Sequence, residues 1–184
     1  GVQFHAAHGY LLSQFLSPLT NQRDDQWGGC LENRARALLS VVSKARVALG
    51  AEFPISVKLN SADFQKGGFD FEESLTVAQW LAEAGVDLLE ISGGTYEQPR
   101  LLNLDGVEPI DEQTIARSTM AREAYCVDFA KAIREKVSIP IMVTGGLRRR
   151  DVMEHVLDSG GADMIGLGRP LCVETDGPSQ LLNG

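Results

Sequence analysis

The sequence predicts an α/β fold built around a parallel sheet. Short apolar runs alternate with amphipathic segments, no linker divides the chain, and the run at residues 55–60 has one apolar and one polar face. Strands that alternate with helices form parallel sheets joined by right-handed crossovers. We therefore expect residues 1–184 to form a single domain.

Five runs predict strands, and the segments between them predict helices. The strands are expected at Val2–His5, Pro54–Leu59, Val86–Ser92, Ile139–Thr144 and Asp163–Leu167. Apolar residues at helical spacing, such as Leu38 and Val42, predict the intervening helices. These helices are expected at Glu32–Leu49, Phe71–Ala84, Met120–Lys136 and Arg150–Ser159, with a short one near Pro178–Leu182.

Two arrangements fit these elements, an open doubly wound sheet and part of a closed barrel. Within residues 55–60, Ile55, Val57 and Leu59 share one face, and Ser56, Lys58 and Asn60 share the other. A polar inner face suits a barrel strand, whereas a central strand of an open sheet is apolar on both faces. The pattern favours a barrel. Complete (β/α)₈ barrels have roughly 250 residues, and this chain starts within an element, so we expect the back part of a longer protein.

Composition excludes several kinds of partner. The chain has 17 basic and 25 acidic residues and a formal net charge of -8, which does not favour nucleic acid or an anionic membrane surface. The sequence has no apolar run of the roughly 20 residues that cross a membrane. The three cysteines are far apart, so neither a disulfide framework nor a metal cluster is expected, and a reducing, cytoplasmic compartment is favoured.

Two histidines and a tyrosine lie at the end of the first predicted strand and just after it. His5 and His8 could both donate hydrogen bonds to one substrate oxygen, and Tyr10 could supply a proton beside them. A zinc site would need a third protein ligand, and no acidic residue or cysteine nearby is spaced to provide one, so we expect no metal. Core packing is the other interpretation, especially for Tyr10.

The last two predicted strands run into glycines. Gly145 and Gly146 follow one, and Gly168 and Arg169 follow the other. A backbone without Cβ atoms lets a phosphate approach the amide groups, and the phosphate site of a barrel usually lies after its final strands. Simple tight turns are the alternative for each pair alone. Their occurrence on consecutive strands, with an arginine, favours phosphate binding.

Lys58 lies on the polar face of its strand and needs a negative partner if it is buried. Glu90 on the next strand would make a structural ion pair, and an anionic cofactor is the other candidate. The long segment Gly93–Thr119, with Tyr96 and Arg100 near its start, is expected to shape substrate choice.

Two long motifs resemble the Old Yellow Enzyme family of NADH:flavin oxidoreductases. The first is residues 5–18, HAAHGYLLSQFLSP. The second is residues 21–29, NQRDDQWGG, followed by Glu32-Asn33-Arg34 and Arg36, and the similarity continues through Gly145-Gly146 and Gly168-Arg169-Pro170. The resemblance covers nearly the whole chain.

The resemblance implies strands four to eight of an FMN-binding (β/α)₈ TIM barrel. It implies a flavoprotein ene-reductase, in which NADH or NADPH reduces FMN and hydride then passes to an activated alkene such as an enone or nitro compound. His5, His8 and Tyr10 would be catalytic, and Gly145, Gly146, Gly168 and Arg169 would hold the FMN phosphate. Lys58 would lie against the flavin, where many members have arginine. The oligomeric state is left open.

Two other functions fit the residues. The chain could be a truncated barrel fragment without catalytic activity, which would bind no flavin. It could also be a flavin-free, phosphate-binding barrel enzyme that forms a Schiff base on Lys58.

Overall fold

The computed structural model describes residues 1–94, 129–147 and 149–183, with the side chain of Arg169 left out. Within these ranges the chain forms one five-stranded sheet. All neighbouring strands are parallel, and their order in the sheet follows their order in the sequence. The strands are β1 (Val2–Ala6), β2 (Ile55–Asn60), β3 (Leu88–Ser92), β4 (Ile141–Thr144) and β5 (Met164–Gly166).

Helices connect the strands, as expected for parallel pairs. The short helix α1 and the long helix α2 lie between β1 and β2, and α3 lies between β2 and β3. Residues 129–134 are helical and are called α4 here. The helices are α1 (Leu11–Leu16), α2 (Leu31–Leu49), α3 (Phe71–Glu83), α4 (129–134), α5 (Arg150–Asp158) and α6 (Gly177–Asn183), with a 3₁₀ turn at Arg169–Cys172.

The hydrophobic core lies between the sheet and these helices. Alternate residues of β2, namely Ile55, Val57 and Leu59, are fully buried, because successive side chains of a strand point to opposite faces. Leu38 and Val42 of α2 belong to one apolar cluster with Val57 and Leu59. The expected apolar face of β2 is therefore confirmed as its helix-facing side.

Aspartate side chains cap one helix and two strands. Asp70 caps α3 by accepting a hydrogen bond from the backbone N–H of Glu73. Asp87, just before β3, accepts from the first N–H of β2, that of Ile55, at 2.7 Å. Asp163, just before β5, does the same for Ile141 of β4 at 2.8 Å. Both acids thus act as side-chain caps for a neighbouring strand, and β3 and β5 begin after them.

The five predicted strands and four of the five predicted helices are confirmed, with ends that differ by one or two residues. Of the predicted helix Met120–Lys136, residues 120–128 lie outside the described residues, and residues 129–134 are helical. The sequence did not predict α1 or the 3₁₀ turn, since elements of six and four residues show too little periodicity. Most of the expected binding segment Gly93–Thr119, with Tyr96 and Arg100, lies outside the described residues. No helix in the described part of the chain is long and apolar enough to span a membrane.

Candidate active site

The candidate catalytic and phosphate-binding residues lie at one edge of the sheet. His5 is on β1, and His8 follows it. Gly145 and Gly146 follow β4, and Gly168 follows β5. Because all five strands run in the same direction, their carboxyl ends share an edge, and this edge is where α/β proteins bind ligands. The order of the strands thus brings together residues that are more than 130 positions apart in sequence.

The three ring side chains at the end of β1 and just after it form a compact group. The His5 and His8 ring centroids are 5.2 Å apart with planes at 78°, and the His5 and Tyr10 centroids are 4.8 Å apart. The backbone N–H of Ala7 donates to Nδ1 of His5 at 3.2 Å. A neutral His5 with that nitrogen as acceptor carries its proton on Nε2. Tyr10 is 45% exposed, so it is not the packed core aromatic of the alternative interpretation.

Both imidazoles are held in their neutral form. Burial lowers the pKa of His8 to about 4, and the nearby positive charge of Lys58 adds to the effect. The pKa of His5 is also lowered, first by burial and then by Lys58, while Glu90 acts in the opposite direction. Near neutral pH the pair therefore offers uncharged N–H donors.

Lys58 forms an ion pair on the inner face of the sheet. Its Nζ donates to Oε1 of Glu90 at 2.6 Å, and Nε2 of Gln3 donates to Oε2 of the same carboxylate at 2.7 Å. Burial alone would raise the pKa of Glu90, but the hydrogen bonds and charge that it receives, led by Lys58, lower it instead. Of the two partners that the sequence left open for Lys58, the structure shows the ion pair with Glu90. His5, Lys58 and Glu90 occupy one row across three strands.

The glycine turns are open to their surroundings. Gly145 has φ +128° and Gly146 has φ +75°, which side chains with a Cβ rarely adopt. A Cβ built at Gly145 or at Gly168 would meet no atom within 4 Å. The main chain at both turns can therefore be approached by a ligand group. Arg169 begins the 3₁₀ turn, and the structure describes only its main chain.

These features fit the FMN that the family resemblance implies. Bare main chain after β4 and β5 suits a phosphate. The side chain of Lys58 is 14% exposed on the inner face, where its ammonium could contact an anionic ring edge. The described residues contain no group of three or more His, Cys, Asp or Glu side chains that could hold a metal ion.

Sequence reasoning missed two residues at this edge, Asn60 and Ser92. The Asn60 side chain accepts a hydrogen bond from the backbone N–H of His8, and the Ser92 hydroxyl lies 2.6 Å from Nε2 of His8. Both are the last residues of their strands and are buried. Their only sequence signal is that a polar residue ends an apolar run, which is a common pattern.

Comparison with known proteins places the whole chain in one family. A sequence model of the NADH:flavin oxidoreductase / NADH oxidase family matches residues 1–184. An NADH-dependent flavin oxidoreductase of Talaromyces variabilis is 39% identical over 174 residues, which cover 94% of this chain and 41% of that protein. The chain thus spans less than half the length of this relative.

Solved structures share the fold. A 2-naphthoyl-CoA reductase in complex with 2-naphthoyl-CoA superposes with a TM-score of 0.82 at 29% identity, over 100% of this chain and 26% of the other. An old yellow enzyme homologue from Zymomonas mobilis superposes with a TM-score of 0.71 at 27% identity, over 99% of this chain and 46% of the other. The five parallel strands are therefore part of a (β/α)₈ barrel of the kind that the sequence resemblance implies.

Proposed function

The chain belongs to the NADH:flavin oxidoreductase / NADH oxidase family, and from that premise we propose that it carries the active-site half of an FMN-dependent ene-reductase. NADH or NADPH is the reductant, and the substrate is a small molecule with an alkene activated by a carbonyl or nitro group. When bound, FMN supplies two-electron hydride chemistry that no protein side chain provides.

The glycine turns after β4 and β5 would hold the FMN phosphate. Gly145 and Gly168 leave the main chain open, Gly146 continues the first turn in the left-handed region, and Arg169 would add a guanidinium that matches phosphate geometry. Lys58 would place a positive charge against the ring system, which favours the anionic, reduced cofactor. Its ion pair with Glu90 fixes the ammonium on the inner face.

His5 and His8 would bind the activating oxygen of the substrate. Two neutral imidazole N–H groups can share one carbonyl or nitro oxygen, and they strengthen their hydrogen bonds as negative charge develops on it. The lowered pKa of each ring keeps both uncharged at neutral pH. A neutral pair costs less to bury than two imidazolium ions beside Lys58 would.

Tyr10 would complete the reduction by giving a proton. One alkene carbon gains hydride, the other gains the Tyr10 hydroxyl proton, and solvent restores that proton while NAD(P)H becomes NAD(P)⁺. The Tyr10 ring lies against His5, and the residue is 45% exposed, which leaves it accessible from solvent. The observation that supports the proposal most is the shared edge of the histidine pair, Lys58 and the two glycine turns.

Phenol binding tests the histidine pair directly. Phenolates bound above an oxidised flavin give a long-wavelength charge-transfer band, and their oxygen would need the same donors as a substrate oxygen. We expect the purified protein to contain FMN. Replacing both histidines, His5→Ala with His8→Ala, should abolish the band with 4-chlorophenol while the flavin stays bound.

The third histidine of the chain provides the matched control. His155 lies exposed on α5, so His155→Ala should leave phenol binding unchanged. Equal phenol affinity in the double variant and the wild type would contradict the role of the pair. A colourless protein that binds no added FMN would instead favour the non-catalytic fragment.

A further inference from the structure

His8 has a backbone conformation that its neighbours must maintain. Its φ is +62°, in the left-handed region. That region is unfavourable for a residue with a Cβ and persists only where surrounding contacts enforce it. The direction of the imidazole depends on this turn, because the same residue at a negative φ would point its side chain elsewhere.

Asn60 holds the turn through the main chain. Its Oδ1 accepts the N–H of His8 at 3.1 Å. Its Nδ2 donates to Oδ1 of Asp63 at 3.1 Å and to the carbonyl of Gly94 at 3.0 Å. Two acceptors on the amide nitrogen leave only Oδ1 to face the His8 N–H, so the amide has a single orientation that satisfies all three contacts.

The residues that hold Asn60 are themselves buried and hydrogen-bonded. Asn60 and Asp63 are each 1% exposed. The second oxygen of Asp63 accepts the backbone N–H of Phe69 at 3.1 Å, and the carbonyl of Asn60 accepts the Ser74 hydroxyl at 2.8 Å. The network thus connects the end of β2 with the loop before α3 and with α3 itself.

Ser92 holds the other end of His8. Its Oγ lies 2.6 Å from Nε2 of the ring, and its side chain is almost completely buried. Asn60 and Ser92 are paired in the register of β2 and β3, so the two contacts come from adjacent strand ends. The hydroxyl also influences the tautomer, since donating to Nε2 places the ring proton on Nδ1, whereas accepting from Nε2 keeps the proton there.

We propose that Asn60 and Ser92 are positioning residues that orient His8 for ligand binding, Asn60 by fixing its left-handed turn and Ser92 by fixing its ring and tautomer. The inference rests on the proposed role of His8. It adds two residues that do not contact the substrate themselves but determine what the second imidazole can offer to it.

Ser92→Ala is the principal variant, because it removes one hydroxyl and leaves the backbone unchanged. In the FMN-loaded protein we expect 4-chlorophenol to bind about 3- to 10-fold more weakly, as for the loss of one hydrogen bond, with flavin content unchanged. Ser92→Thr keeps the hydroxyl and should restore wild-type affinity. Asn60→Ala should weaken binding by about 10-fold or more, because His8 loses its turn.

Ser61 is a matched control at the same edge. It is 1% exposed, and its hydroxyl has no hydrogen-bond partner among the described residues. Ser61→Ala therefore removes an equally buried hydroxyl that does not contact His8, and phenol affinity should stay at the wild-type value. If Ser92→Ala behaves like Ser61→Ala, the proposed role of Ser92 is wrong.

Nitrogen-15 NMR of the histidine rings separates this inference from the proposed function. The His8 signals are those lost in His8→Gln, and Ser92→Ala should shift them as the tautomer balance changes. This readout concerns only the contact between His8 and Ser92.

Unshifted signals overturn the inference even if phenol binds as expected. Shifted signals with unaltered phenol binding in the His5/His8 double variant support the tautomer role and contradict the proposed function instead. Should Asn60→Ala fail to fold, Asn60→Ser tests the role of Asn60 with the same expected loss of affinity, and Ser92→Ala decides the role of Ser92.

Discussion

The ionisation of His8 reflects its surroundings at the scale of a single residue. Burial and the charge of Lys58 both disfavour the imidazolium and lower the pKa of His8 to about 4. Lys58 in turn is fixed by Glu90, which is 4% exposed and has both oxygens occupied. The proposed donor pair is therefore kept neutral first by burial and second by Lys58, a cation on the adjacent strand.

This ionisation predicts a pH dependence of stability. The unfolded chain takes up the His8 proton near pH 6.5, whereas the folded protein takes it up near pH 4. The unfolded state therefore binds more protons between these values, and the free energy of unfolding should fall as pH decreases across that window. We expect His8 to account for about 1–3 kcal/mol of the fall, after allowance for its partial exposure.

Two histidine variants isolate this contribution. In His8→Gln the free energy of unfolding, measured by urea denaturation from pH 6.5 to 4, should decline less steeply than in wild type. His155→Gln should follow the wild-type curve, because His155 is exposed. Glu90, whose pKa is lowered, loses its contribution at still lower pH in all three proteins. Parallel curves for wild type and His8→Gln would contradict the neutral, buried state of His8.

Which residues form the site was predictable only in part. His5, His8, Tyr10 and the glycines stood out because their types and spacing are unusual after strand candidates. Asn60 and Ser92 gave no comparable signal, since their proposed role depends on strand register and on the left-handed turn at His8. Register between strands more than 25 residues apart is set by tertiary packing, which periodicity does not reveal.

At the scale of elements, the motif of residues 21–36 holds the loop between α1 and α2 in place through hydrogen bonds and an ion pair. Asn21 donates to the carbonyls of Phe15 and Trp27, each at 2.7 Å. Arg34 is buried, pairs with Glu73 of α3 and donates to the carbonyls of Leu16 and Gly29. The loop between α1 and α2 is therefore tied to both helices and to α3.

Gly28 packs closely against the main chain of Arg23 in that loop. A Cβ at Gly28 would lie 2.3 Å from the backbone oxygen of Arg23, which a side-chain movement cannot relieve. Gly28→Ala should lower the free energy of unfolding by about 1–3 kcal/mol, the usual cost of overpacking. Gly177→Ala is the control, because a Cβ there meets its nearest atom, in Glu174, at an ordinary 3.7 Å. Equal urea midpoints for the two variants would contradict the close packing of the loop.

At the scale of the whole molecule, strand order explains why distant segments share one site. Five parallel strands in sequential order bring every carboxyl end to one edge, and alternate residues of β2 separate the helix-packed core from a polar inner face. The alternation of elements and the two-faced β2 predicted this arrangement from sequence. The short α1 and the caps by Asp87 and Asp163 were not predictable, because they depend on contacts between elements.

The most direct test of the shared site is a crystal structure of the protein with FMN and 4-chlorophenol bound. We predict that the FMN phosphate lies within hydrogen-bond distance of the main chain at Gly145–Gly146 and Gly168–Arg169. We also predict that the phenolate oxygen lies between His5 and His8. A phosphate bound away from both glycine turns, or a phenolate that contacts neither imidazole, would contradict the account.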